Sequence, residues 1–530
     1  MEHTEQARTA RPFSRRALFV ALGGLAAGGA ATAAGTYALT ARDDAPPDAA
    51  PAPGQTGNAG GNAPPPTPTS DATASGILAD NRRWAAHLLR RAAFGGTRAE
   101  IDEFASLSRE EAVSRLVDYD AIDNTALEQR LAAARYRIDS AATVRRDGVP
   151  WWLARMTYTA RPLEERLTFL WHGMLTTQVS QIGGVRAHWM VVQNETYRAR
   201  AGGSYDDLLH AAAKDPAMLV YLNTAESTKE HPNENFAREL MELFSMGAGN
   251  YSEDDVREAA RAFTGWGLTI PRNQLRGLDE DARREFLSTY VPSFELYPRR
   301  HDFGTKTFLG ETGPFDGTDI IDIILRQPAT AEFVCRRLFR EFVHPAPADD
   351  DLAPLVETWE RSGHNIREVL RALFLSEAFA SDAAYRAIVR GPVQLVVGLA
   401  RQLEADTDFR VPSLREGLPA TGQVPFEPPN VGGWPGGPAW LSSGTLFARA
   451  NLVDALLFGQ RAIGAPALER LTSPSEIVET AVQLMLDGNV EPAVLDLLHA
   501  YASQEAGRPL REVARGIAYL VAMSPQYQLL

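Results

Sequence analysis

Apolar residues recur along this chain at helical rather than strand spacing. Leu163, Leu167, Leu170, Trp171 and Met174 follow i, i+4, i+7, i+8 and i+11, one stripe of a 3.6-residue repeat. Ser252, with Asp255 three places on, predicts a capped helix start. Val256, Ala259, Ala260 and Phe263 form that helix's apolar face, and Gly265 ends it. Ile320, Ile323 and Ile324, then Phe333, Leu338 and Phe342, predict two more helices, and residues 393–403, 453–457 and 473–523 continue the pattern. Two segments break it. Residues 290–317 are rich in aromatics, Pro and Gly, and residues 417–444 contain Pro425, Pro428, Pro429, Pro435 and Pro438. These read as long ordered loops or short strands, a kind of segment that often carries function. The expected fold is mainly α: a large multi-helix assembly over residues 77–530, with long Gly/Pro-rich ordered loops and few short strands.

The first 76 residues follow different rules. Ser14-Arg15-Arg16-Ala17-Leu18-Phe19 precedes a Gly/Ala-rich apolar run over residues 17–39, the form of a twin-arginine export signal. Residues 1–40 are therefore expected to engage the twin-arginine (Tat) translocase and direct the chain to the periplasm, cell envelope or exterior. Ala31-Thr32-Ala33 offers a cleavage site, while the run is long enough to anchor the chain in the membrane if uncut. Residues 41–76, rich in Pro, Ala and Gly, read as a disordered linker.

Composition narrows the chemistry slightly. The chain of 530 residues has a formal net charge of −14, which argues against nucleic acid as a partner. Its single cysteine, Cys335, cannot form an intramolecular disulfide or a multi-cysteine metal site and reads as a core filler. No P-loop, Rossmann fingerprint, GxSxG elbow or CxxCH is present.

Candidate chemistry concentrates in His231-Pro232-Asn233-Glu234-Asn235-Phe236-Ala237-Arg238-Glu239-Leu240-Met241-Glu242-Leu243-Phe244. Asn233 can cap a helix starting near Glu234. Phe236, Leu240, Leu243 and Phe244 make its apolar stripe, and Asn235, Glu239, Glu242 and Met246 fall on an adjoining one. Glu239 lies nearest the apolar edge. A carboxylate there needs a cation, a metal or a hydrogen-bond donor. Arginines such as Arg91, Arg238 or Arg261 would meet that need structurally, and an acid/base or metal role would meet it functionally.

Glu239, Glu242, His301 and Asp302 are the candidate catalytic residues. Asn233, Asn235, Arg238, Lys306 and Trp434 are the candidate ligand-binding residues. His172, His231 and Glu239 are the candidate metal ligands, for a divalent metal as cofactor. No tight ligand spacing links the histidines, so that proposal needs distant segments to converge. Lys306 is one of only three lysines, and Trp434 with Trp440 could present a stacking platform for sugars.

The long motif continues into Asn250-Tyr251-Ser252-Glu253-Asp254-Asp255 and Thr264-Gly265-Trp266. Further segments accompany it: Arg90-Arg91-Ala92-Ala93-Phe94-Gly95, His301-Asp302, Lys306-Thr307-Phe308-Leu309-Gly310, and Pro429-Asn430-Val431-Gly432-Gly433-Trp434-Pro435-Gly436-Gly437. In this order they closely resemble the bacterial family called domain of unknown function 1800 (DUF1800). The resemblance implies an exported protein of no generally established activity, with a co-exported partner of the sulfatase/phosphatase-like class. It also implies a second histidine two places after His172, where this chain has Met174. Three functions remain open: a metal- or acid/base-dependent envelope enzyme, a non-catalytic helical scaffold or chaperone for a co-exported hydrolase, and a glycan-binding envelope protein.

Overall fold

The computed structural model describes residues 76–530 except Ala506. The export signal and nearly all of the linker read from the sequence lie outside the described residues.

The described fold is mainly α. Among its helices, in chain order, are α1 (Asn81–Ala92), α2 (Ala141–Tyr158), α3 (Pro162–Met174) and α4 (Trp189–Arg198). Then come α5 (Glu234–Glu242), α6 (Glu253–Ala262), α7 (Gly317–Leu325) and α8 (Pro328–Phe342). The later helices include α9 (Pro392–Gln402), α10 (Ser443–Phe458), α11 (Pro474–Leu486), α12 (Pro492–Gln504) and α13 (Leu510–Ala522). Each helix expected from periodicity has a counterpart here. The capping box at Ser252 is present, with the hydroxyl accepting from the Asp255 N–H. No described helix is long and apolar enough to cross a membrane.

The two segments that break the helical pattern resolve differently. Within and just before residues 290–317, β1 (Trp266–Leu268) pairs antiparallel with β2 (Phe294–Leu296), and β3 (Lys306–Phe308) pairs with β4 (Glu311–Gly313). Residues 417–444 begin inside a helix, Pro412–Thr421, and then run as a Pro-rich loop to a short 3-10 turn, Gly437–Leu441.

Burial departs from the stripe in one place that matters. Every residue of α3 from Leu163 to His172 is buried, as is Met174. An amphipathic reading puts His172 on the solvent side. Instead α3 is enclosed all round, so its polar residues lie in the core and need internal partners. Cys335 is fully buried in α8 and burial pushes its thiol up to about 12, which agrees with its reading as a core filler.

Candidate functional site

Helix α5 is held by its ends. The Asn233 side chain accepts from the Asn235 N–H at 2.9 Å, and the Asn233 N–H donates to Ser227 Oγ at 3.0 Å. Phe236, Ala237, Leu240 and Met241 bury the apolar face. The helix stops at Glu242, so Met246 lies beyond it and is buried rather than continuing the Glu239 stripe, and Leu243 is only half-buried. The Asn233 side chain therefore serves the cap, while Asn235 gives it only a backbone N–H and leaves its side chain exposed. Arg238 is committed as well, donating to both Glu253 oxygens at 2.7 and 2.9 Å and to Glu234 at 3.3 Å.

Glu239 and Glu242 are left as a half-buried pair on the other side of α5. Neither is tied by Arg91, Arg238 or Arg261: Arg91 donates to the Ala384 carbonyl, Arg238 to Glu253 and Glu234, and Arg261 to Asp302 and Glu258. Glu242 accepts the Tyr251 hydroxyl at 3.0 Å. Glu239 makes no side-chain hydrogen bond or ion pair with the described residues. Burial raises its pKa and the neighbouring Glu242 charge raises it further, against a smaller opposing pull from Arg238. Glu427, on the Pro-rich loop, accepts from Ser180 Oγ at 3.0 Å. Tyr221 stands in the field of both Glu239 and Glu427, its hydroxyl pushed up by burial first and then by those carboxylates. Glu239, Glu242 and Tyr251 thus form a half-buried acidic seam, with Tyr221 in the electrostatic field of Glu239 and of Glu427. The sequence motif contained Tyr251, but nothing in the sequence pointed to Tyr221 or Glu427, which arrive from separate segments.

The other candidates are placed elsewhere. His301 Nδ1 donates to the Thr264 carbonyl at 2.8 Å. The Asp302 N–H donates to Thr264 Oγ1 at 2.8 Å, and its carboxylate accepts from Arg261 Nε and the Gly304 N–H, both at 2.8 Å. The Arg261 hydrogen bond holds Asp302 below the usual carboxylate range. Lys306 is 1% exposed and donates to the carbonyls of Asp302 (2.6 Å) and Gly304 (3.0 Å). Gly265 has φ +80°, and a Cβ there would lie 2.8 Å from the Tyr297 carbonyl. This is a clasp holding the loop before β3 against α6. In this clasp Lys306, Asp302 and His301 all make structural hydrogen bonds.

His172 sits in an aromatic box, with Trp152 at 5.4 Å, Trp434 at 5.5 Å and Phe426 at 5.7 Å between ring centroids. Its Nε2 is buried without a partner among the described residues, and burial lowers its pKa to about 3. His231 is exposed on an isolated bridge to Thr228. Among the described residues no group of three or more His, Cys, Asp or Glu is placed to hold a metal ion. His172, His231 and Glu239 are therefore not one ligand set, because α3 is enclosed while His231 faces solvent.

Trp434 stacks on Phe169 at 5.1 Å and 20°, and Trp440 is buried at 4% exposure. Trp440 is thus a core side chain, whereas Trp434 is half-buried with one ring face on Phe169, so the two do not present a shared exposed face. Gly433 explains how the loop gets close enough: at φ +85°, its Cβ position lies 2.1 Å from the Gly173 carbonyl oxygen. Gly433→Ala is expected to destabilise the protein by about 2 kcal/mol or more, read as a lower urea midpoint. An unchanged midpoint would show that the loop does not need this approach.

A buried neutral histidine also makes stability depend on pH. His172 and His87 both have pKa values held below the ordinary histidine range, burial being the first cause. Below about pH 6.5 the unfolded chain takes up protons that the fold excludes, so stability is full above that pH and falls as pH drops. Each such histidine contributes a slope of up to about 1.4 kcal/mol per pH unit. His172→Phe should remove about one proton from the slope of urea stability between pH 6.5 and 4.5. Identical slopes in both proteins would mean that His172 is protonated in the folded state.

Comparison with characterised proteins and with solved structures found no match to this chain. The family profile described as "Protein of unknown function (DUF1800)" matches residues 87–529. That span holds the clasp, the aromatic box and the acidic seam, and this chain belongs to the DUF1800 family.

Proposed function

We propose that this protein is an acid/base-dependent enzyme of the cell envelope, exported by the twin-arginine route, whose reaction centre is the Glu239–Glu242 seam. One observation carries the reading: Glu239 is a half-buried carboxyl without a side-chain partner among the described residues, raised by burial and by Glu242, beside a Glu242 that holds the Tyr251 hydroxyl and within the electrostatic reach of Tyr221. Two carboxyls in unlike settings suit a division of labour, one holding a proton and one accepting it. Glu239 is the proton donor. Glu242, oriented by the Tyr251 hydroxyl, is the acceptor that would activate a water or a substrate hydroxyl. Hydrolysis of a glycoside or ester fits such a pair.

The test is turnover by the purified exported form on a panel of chromogenic glycosides and esters, with Glu239→Gln and Glu242→Gln alongside. Turnover lost in both variants supports the reading. No turnover on any substrate, together with recovery from the envelope in a stable complex with a co-exported sulfatase/phosphatase-like hydrolase, would overturn it in favour of the scaffold role.

A further inference from the structure

Beside α1 the interior holds more positive charge than its carboxylates answer. Arg90, Arg91, Arg390 and Arg449 are each at most 3% exposed. Asp487 accepts from Arg90 Nη1 and from the Tyr385 hydroxyl. Among the described residues, the hydrogen bonds of the other three go to neutral acceptors. Arg91 donates to the Ala384 carbonyl. Arg390 Nε donates to the Tyr527 carbonyl at 2.9 Å, with its guanidinium 4.1 Å from the Tyr527 ring centre. Arg449 donates to Gln528 Oε1 at 2.8 Å and to the Arg390 carbonyl. Among the described residues, Arg390 Nη1 and Nη2, Arg90 Nε and Nη2, Arg91 Nε and Nη1, and Arg449 Nε are buried without an acceptor.

These groups lie in one electrostatic neighbourhood. Burial holds Arg390 below the ordinary arginine range; Tyr527 and Asp487 pull it up, and Arg90 and Arg386 push it further down. Burial, then Arg390, brings Arg449 down to about 10. A guanidinium does not shed its proton to escape burial as a lysine does. An uncompensated buried cation is costly, and one left with unpaired N–H groups is costlier. Asp487 also lines a polar pocket of about 250 Å³ with Arg82, Arg83 and Gln483. The lining of this pocket thus includes the carboxylate that pairs Arg90.

We propose that the unpaired guanidinium faces of Arg90 and Arg390, backed by Arg449, bind a small inorganic anion, a halide or a tetrahedral oxyanion, as an internal counter-ion. The anion accepts the N–H groups that the fold leaves without partners and offsets the clustered charge. It is a site apart from the Glu239 seam and independent of any reaction there.

The experiment exchanges the purified protein into gluconate buffer and follows thermal unfolding while bromide, sulfate or phosphate replaces gluconate at constant ionic strength. The expected result is a saturable rise of about 5 °C with at least one probe and not with all equally, lost in Arg390→Lys. A rise identical for all three probes, no rise, or a rise retained in the variant overturns the site. Should Arg390→Lys fail to fold, crystals of the unaltered protein grown with bromide or selenate decide. An anomalous peak in contact with Arg390 and Arg90 supports the proposal, and none there from either ion overturns it.

Discussion

Replacing Glu165 by alanine is expected to cost about 3–5 kcal/mol of stability, enough to threaten folding in a protein of ordinary marginal stability. Glu165 is fully buried in α3. It accepts from Trp152 Nε1 (3.1 Å) and Arg155 Nε (3.1 Å) on α2, and from Arg198 Nε (2.6 Å) and Nη2 (3.0 Å) on α4. One carboxylate therefore joins three helices. Burial pushes its pKa up, but Arg198 and Arg155 outweigh burial and hold it below the usual glutamate range. Its contribution is thus present at neutral pH and lost as pH falls. Alanine would leave two guanidinium groups, 7% and 6% exposed, without their shared counter-charge. Urea midpoints of Glu165→Ala and of the milder Glu165→Gln measure this. A double variant that also replaces Arg198 by methionine should lose less than the sum of the single changes, because it removes the stranded charge. A wild-type midpoint in Glu165→Ala would show that the triad does not fix these helices.

Glu239→Gln is expected to lower turnover by about 10²–10⁴-fold, the usual share of a positioned proton donor. The fold should tolerate the change, because glutamine keeps the shape and Glu239 ties nothing else down. That separates it from Glu165, where activity and stability would fall together. Glu242→Gln should slow turnover too, by removing the acceptor that Tyr251 orients. Asp302→Asn is the useful contrast. It weakens the Arg261 ion pair at 2.8 Å and so should move stability more than rate. If Glu239→Gln and Asp302→Asn lose activity alike, the seam has no special place in the reaction.

Much of the helical frame was readable from residue spacing, because an apolar stripe at 3.6-residue period has few other uses. The Ser252 cap and the start of α5 at Glu234 followed from local hydrogen-bonding chemistry alone. The polar partners were not readable. Glu164-Glu165-Arg166 looks like a solvated first turn, yet Glu165 is a core residue because α2 and α4 close over it, a fact of tertiary packing. His172 is a core histidine because Trp152 of α2 and Phe426 and Trp434 of the Pro-rich loop surround it. Lys306 stood out as one of three lysines and His301-Asp302 as a motif segment; the hydrogen bonds that tie them into the loop before β3 had no local signal, because their partners are set by how that loop packs. The acidic pair itself was visible as a helix face. Its companions Tyr221 and Glu427 were not, since no local pattern links residues brought together from distant segments.

The most direct test of the acid/base account is a titration of the Glu239 carboxyl, by isotope-edited infrared difference between the unaltered protein and Glu239→Gln. The account predicts an inflection above the ordinary glutamate value of about 4.3, moving down in Glu242→Gln because the like charge that disfavours ionisation is gone. The loss of activity at rising pH should track the same inflection. A Glu239 that ionises in the ordinary range, indifferent to Glu242, would contradict it.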